Sequence, residues 1–147
     1  MTIADVMTKS VISVDASMTI NGAAKMMEDA KVGAIIVMEN NTPIGIVTDR
    51  DFAVKVAAHA YNIATPVKQI MSSPLFSINS VESVMAAADL MHDRGIRKLP
   101  VIDGENIVGI ITATDIVNLL AVSLEDDMKA MYFHSVAKIF ENYDPYN

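Results

Sequence analysis

Two seven-residue stretches carry the residue types best placed to do chemistry, Gly45-Ile-Val-Thr-Asp-Arg-Asp51 and Gly109-Ile-Ile-Thr-Ala-Thr-Asp115. Both have the form Gly-apolar-apolar-Thr-x-x-Asp, each at the junction between a β-rich run and a helical pattern. That spacing sets a hydroxyl and a carboxylate one helical turn apart at a helix N-terminus. Exposed backbone N–H groups and the helix dipole favour an anionic group there. A carboxylate so placed can accept hydrogen bonds from two vicinal hydroxyls, such as those of a ribose. The same pattern also describes a capping box, with Thr capping the helix and Asp closing the box. Both readings stand on the residues alone, and the second copy favours the first.

A basic cluster, Arg94, Arg97 and Lys98, places three of the chain's 11 Lys and Arg within five residues. Arg97 and Lys98 suit a phosphate, Arg through its bidentate fork. Charges near a helix C-terminus are also favoured by the dipole without any ligand. The matching positions in the first half are Ala30, Gly33 and Ala34, which carry no charge; Lys31 and Arg50 compensate only in part. Conversely, Asp49 and Arg50 of the first motif become Ala113 and Thr114 in the second. This asymmetry predicts one phosphate-competent site built on Arg97, Lys98, Thr112 and Asp115, and a first-copy site, with Thr48 and Asp51, that is weaker or selective for a less charged compound.

The elements that must position these residues come in two copies. A shift of 64 residues aligns Val6–Phe52 with Ile70–Ile116 without a gap, and 11 of the 47 pairs are identical, among them Met7/Met71, Ala23/Ala87, Met27/Met91, Gly45/Gly109 and Asp51/Asp115. Such a period marks a repeated supersecondary unit. Each copy opens with a short β-rich run, Val11–Val14 or Leu75–Ile78. A helix follows, with Ile20, Ala23, Ala24 and Met27, or Val84, Ala87, Ala88 and Met91, at the spacing of one face. Two apolar runs come next, Ala34–Met38 and Ile44–Val47 around a Glu-Asn-Asn-Thr-Pro turn, or Leu99–Ile102 and Ile107–Ile111 around Asp103-Gly104. A second helix opens at Thr48 or Thr112, whose hydroxyls can cap it. The unit therefore reads β-α-β-β-α, and Tyr61–Pro66 reads as the linker.

The tail lies outside the repeat. Ser123 and Asp126 resemble a capping box, and Leu124, Met128, Met131, Tyr132, Val136, Ile139, Phe140 and Tyr143 fall near one helical face. Five of the eight aromatics, Tyr132, Phe133, Phe140, Tyr143 and Tyr146, lie in the last 16 residues. The face suits either the helix's own domain or a subunit contact, where aromatics are enriched.

Composition narrows the function classes. The chain has 147 residues, 52% hydrophobic, and a mean hydropathy of +0.34, which is globular rather than disordered. No stretch free of Asp, Glu, Lys and Arg reaches the roughly 20 apolar residues of a membrane-spanning helix. Asp5 and the lack of an apolar run after it argue against a signal peptide. With no Cys, disulfides and thiolate chemistry are excluded, and the cytoplasm is the expected compartment. A net charge of −7 disfavours nucleic acid, whose phosphates are met by Lys and Arg. There is no phosphate loop, dinucleotide fingerprint or nucleophile elbow. His59, His92 and His134 lack metal-ligand spacing, so neither a metal site nor catalysis is expected.

From about Ile3 to Leu120 the chain resembles a tandem pair of CBS domains, a Bateman module. The resemblance rests on Asp5-Val-Met-Thr with Ser10-Val-Ile-Ser-Val14, Gln69-Ile-Met-Ser-Ser-Pro-Leu-Phe-Ser-Ile78, Val32-Gly-Ala-Ile-Ile-Val37, Gly95-Ile-Arg-Lys-Leu-Pro-Val101 and the two Thr-x-x-Asp motifs. It implies an α/β (α+β) fold in which two β-α-β-β-α repeats pack sheet to sheet with pseudo-two-fold symmetry, here with an added C-terminal helix. The expected divisions are 1–62, 63–124 and a helical tail over 125–147. It also implies clefts that take adenosine-containing ligands such as AMP, ADP, ATP or S-adenosylmethionine. In that frame Asp51 and Asp115 hold ribose hydroxyls, while Thr48 and Thr112 meet ribose or phosphate. Arg97 and Lys98 meet phosphate, and the motif positions Arg50 and Thr114 are further candidate ligand contacts. Ser10, Val11 and Ile12, and Pro74, Leu75 and Phe76, line base pockets; Ala34, Ile35, Leu99 and Pro100 supply apolar walls. The function implied is a stand-alone regulatory sensor, a homodimer that signals to a partner protein by changing conformation. The other reading is a structural or interaction subunit with vestigial clefts.

Overall fold

The computed structural model describes residues 1–122 and 126–141. The Ser123 cap, Leu124, Tyr143 and Tyr146 lie outside the described residues. Two compact units make up the chain. The first is Val11–Phe76; the second combines Met1–Ser10 with Ser77–Asn147.

The first unit runs β1 (Ser13–Asp15), α1 (Ile20–Ala30), β2 (Ala34–Glu39), β3 (Thr42–Thr48) and α2. Helix α2 starts over Asp49–Asp51 and continues as a π-helix over Phe52–Ala57. The second unit repeats the order with β4 (Ile78–Asn79), α3 (Val84–Arg94), β5 (Lys98–Asp103), β6 (Asn106–Thr112) and α4 (Ala113–Val122), then adds α5 (Asp126–Phe140). Each sheet has three strands, ordered β1-β2-β3 and β4-β5-β6. The first two strands of each sheet are parallel, with a helix between them in the chain, as a crossover requires; the last two form an antiparallel hairpin. Equivalent pairs recur 64 residues apart: Ala34 faces Thr48 as Lys98 faces Thr112, and Val37 faces Gly45 as Val101 faces Gly109.

Local chemistry explains the boundaries. Thr19 accepts a hydrogen bond from the Gly22 N–H and Ser83 from the Ala86 N–H, both at 3.0 Å, which caps α1 and α3. Both helices end on a left-handed residue, Lys31 in one case and Gly95 in the other. The first hairpin turns on Asn40 and Asn41, both at positive φ, the geometry that two-residue hairpin loops favour. Ile20, Ala23 and Met27 of α1, and Val84, Ala87, Ala88 and Met91 of α3, are buried as the periodicity predicts.

The leading segments are exchanged relative to the sequence period. Val67–Gln69, which aligns with Ile3–Asp5, forms a 3₁₀ turn within the first unit, and Ile3–Asp5 forms one within the second. Val67 and Ile70 join the first unit's core beside Ile20, Ile35 and Val47. The expected linker residues belong to the same scheme, because the carbonyls of Thr65 and Ile63 accept from the Ile20 and Asn21 N–H groups. They thereby satisfy donors that a helix start leaves open.

Helix α5 packs against α3 and α4. Its buried residues are Tyr132, Ser135 and Ile139. The inward face is therefore rotated from the one expected, leaving Met131 and Phe140 exposed. Lys138 pairs with Asp89 of α3 at 2.7 Å, and the Arg97 guanidinium lies 5.9 Å from the centre of the Phe140 ring.

Candidate functional site

The two motif glycines have a packing role. Segment 71–72 adds a bridge to β3: Ser72 and Ile46 exchange both backbone hydrogen bonds, at 2.8 and 3.1 Å. Thr8 and Ile110 do the same in the second unit, both at 2.9 Å. A Cβ on Gly45 would sit 2.9 Å from the Ser72 carbonyl oxygen and against the Met71 sulfur. On Gly109 it would meet the Thr8 carbonyl oxygen at 2.9 Å and the Met7 sulfur. Only the absence of a side chain lets these segments reach the strand that leads into each motif.

The motifs then diverge. In the second unit the capping box is reciprocal. The Thr112 N–H donates to Asp115 Oδ2 at 2.8 Å, and the Asp115 N–H donates to Thr112 Oγ1 at 3.2 Å. Among the described residues, no other group donates to the Asp115 carboxylate, which is half-buried. In the first unit the Thr48 N–H donates to Asp51 Oδ2 at 2.8 Å, but the Thr48 hydroxyl, expected to cap the helix, also turns to that oxygen as a donor at 3.3 Å. Asp51 Oδ1 receives the Ser72 hydroxyl at 3.1 Å and the Lys55 ammonium at 3.0 Å. Lys55 reaches on to the carbonyls of Ile70 and Met71, at 2.8 and 3.4 Å. Asp51 is 6% exposed. Burying a carboxylate is costly without such partners.

Within the second unit the backbone sets Arg97 and Lys98 beside the strand end that leads into Thr112 and Asp115, while the Arg97 guanidinium lies over the Phe140 ring. Lys98 faces Thr112 across the β5–β6 ladder, and the Arg97 carbonyl accepts from the Ala113 N–H at 2.9 Å. Thr114 is exposed on α4. The equivalent bond in the first unit runs from the Asp49 N–H to the Gly33 carbonyl at 3.1 Å, beside the half-buried Arg50. Ala34 faces Thr48 there. Ile35 and Leu99 are wholly buried, and Pro100 is buried beside Leu99. Any contact they make with a ligand passes through the backbone or neighbouring side chains. Val11, Ile12, Leu75 and Phe76 are half-buried and Pro74 exposed, all in the first unit, whereas Ser10 is exposed in the second. The Ser73–Pro74 peptide bond is cis.

Sequence reasoning missed Ser72, Lys55 and the work of the glycines. Lys55 could have been noticed, since it stands four residues after Asp51 on a helix. Ser72 is 21 residues from Asp51, and nothing local announces that approach. Elsewhere, hydrogen bonds from Thr2 and Ser17 hold the Asp5 and Asp15 carboxyls below the usual carboxylate range. Among the described residues no helix is long and apolar enough to cross a membrane.

Two sheets of one register, each feeding a Thr-x-x-Asp helix start, define a duplicated α/β module. The family model for the CBS domain matches twice, over residues 3–58 and 67–122. The chain belongs to the CBS-domain family as a tandem pair. It is 40% identical over 112 residues to the CBS domain-containing protein YhcV of Bacillus subtilis, covering 76% of this chain and 80% of that one. Two further curated relatives are longer, and the chain spans 57% and 31% of their lengths. Among solved structures, a CBS-domain protein from Burkholderia ambifaria superimposes with a TM-score of 0.78 at 27% identity, over 85% of this chain and 97% of that one. The CBS domain pair of protein MJ0100, solved in complex with 5′-methylthioadenosine and S-adenosylmethionine, gives 0.74 at 25%, over 82% and 96%.

Proposed function

We propose that this chain is a regulatory sensor that binds an adenosine-containing ligand and passes the event to a partner protein as a change of conformation. The observation that carries this reading is the Asp115 carboxylate. Thr112 fixes one oxygen, so the other is placed to accept ribose hydroxyls, at a helix start where negative charge is stabilised. Arg97 and Lys98, one strand away, suit the phosphate of AMP, ADP or ATP. The adenosine ligands in the MJ0100 complex support the ligand class. Binding changes conformation only through differential affinity for two states, and the chain needs no catalysis of its own to do so. We read the protein as a cytoplasmic homodimer. The lack of Cys supports the compartment, and Phe133, 64% exposed on α5, supports self-association.

Thermal denaturation with AMP, ATP and S-adenosylmethionine tests the ligand reading. A ligand at 100 times its dissociation constant adds about 2.7 kcal/mol, and Asp115→Ala should abolish the shift. A flat response in wild type to all three would favour an interaction subunit instead.

A further inference from the structure

We infer that Lys55 and Ser72 close the first motif to ligand, so that each chain presents one ribose-binding carboxylate, Asp115, and that the residue four positions after the motif Asp decides which copy is open. This rests on the adenosine reading above and adds the site count and its determinant.

A ribose diol bound at Asp51 would have to accept the place of partners already there. Both carboxylate oxygens are engaged, Oδ2 by the Thr48 N–H and hydroxyl, Oδ1 by the Ser72 hydroxyl and the Lys55 ammonium. The ammonium bond is charge-assisted and outcompetes a neutral sugar hydroxyl. Displacing it would also leave a carboxylate-facing ammonium without its counter-charge. Lys55 is further fixed by the Ile70 carbonyl, so it acts as an internal occupant of the ribose position and as a clasp on segment 70–72.

In the second unit the positions of Lys55 and Ser72 are taken by Leu119 and Thr8. Leucine can neither donate to Asp115 nor hold the carbonyls of the incoming segment. Among the described residues the Thr8 hydroxyl makes no bond to Asp115, and at Thr8 the segment is held by its backbone bridge to Ile110. The two copies share their strand register, but Lys55 lies in the π-helix Phe52–Ala57 whereas Leu119 lies in the α-helix Ala113–Val122. The enclosure of Asp51 therefore combines these side chains with a local difference in helix winding.

Isothermal titration of the full chain with AMP, and with uncharged adenosine because the first unit lacks the Arg97–Lys98 pair, tests this. It should be run on wild type, Lys55→Leu, the double variant Lys55→Leu/Ser72→Ala and Leu119→Lys, with amide hydrogen exchange at Ile46 and Ser72. We expect one ligand per chain in wild type, a second adenosine in one or both Lys55 variants, and binding at least about tenfold weaker in Leu119→Lys. Two AMP per chain in wild type, or still one adenosine in both Lys55 variants, overturns the inference and leaves the sensor reading intact. Loss of all binding in every protein overturns the sensor reading. Exchange at Ser72 then judges the clasp alone: acceleration in Lys55→Leu upholds it, and no change removes it.

Discussion

Asp51 and Asp115 stand at equivalent places in equivalent units, after matching strands and a matching glycine, yet one is enclosed and the other is not. Each accepts the N–H of the Thr three residues before it at 2.8 Å. Beyond that shared bond, Asp51 knits α2 to segment 70–72 through Ser72 and Lys55, whereas Asp115 only caps α4. The strand register is common to both units, whereas α2 runs on as a π-helix and α4 does not. With Lys55 against Leu119 and Ser72 against Thr8, the partners of the motif carboxylate differ as well.

The strongest way to test that the frame is shared is to add one methyl group. Gly45→Ala and Gly109→Ala each force a Cβ against a backbone carbonyl. Both should cost about 1–3 kcal/mol as overpacking, read as the urea midpoint. A loss confined to one of them would show that the two segments dock differently.

The next pair separates the carboxylates. Asp51→Ala strands the Lys55 ammonium and the Ser72 hydroxyl, and should cost about 1–3 kcal/mol after allowance for the part-exposed lysine. Asp115→Ala removes a helix-capping interaction, about 1 kcal/mol, and should cost ligand binding that Asp51→Ala spares. Equal stability losses, measured by denaturant titration, would break the contrast.

Helix ends offer a smaller one. Lys31 and Gly95 both hold the left-handed conformation, and nothing lies within 4 Å of a Cβ built on Gly95. Lys31→Gly should therefore add about 0.5–1 kcal/mol and Gly95→Ala remove about as much, both from backbone conformation alone. Calorimetric melting would register the opposite signs.

The smallest effect concerns pH. Asp15 of the first unit accepts from the Ser17 N–H and hydroxyl, which lowers its carboxyl's pKa on folding. A lowered folded-state pKa contributes stability that is present at neutral pH and fades as pH falls through that value. Asn79 occupies the equivalent place in the second unit and cannot titrate. Asp15→Asn should slightly flatten the acid limb of the melting curve, whereas Asn79→Gln should leave it unchanged.

Much of this was legible beforehand because it is local or duplicated. Helix faces follow from the spacing of Ile20, Ala23 and Met27, and the hairpins from Asn40-Asn41 and Asp103-Gly104. The Thr and Asp of each motif declare themselves by recurring at one period. Membership of the inward face of α5 was less legible, because Ser135 is polar and a sequence pattern assigns it outward. Its burial depends on what α3 and α4 present to it.

The sequence by itself determined the element order of each unit and the identity of the motif residues, since each is set by contacts within a few positions or by the 64-residue repeat. Only the tertiary structure decided that segments 1–10 and 66–76 exchange units, that the motif glycines make room for them, and that Ser72 and Lys55 meet at Asp51. Those outcomes depend on where a distant stretch of chain returns to a strand, and neither helical nor strand periodicity carries that distance.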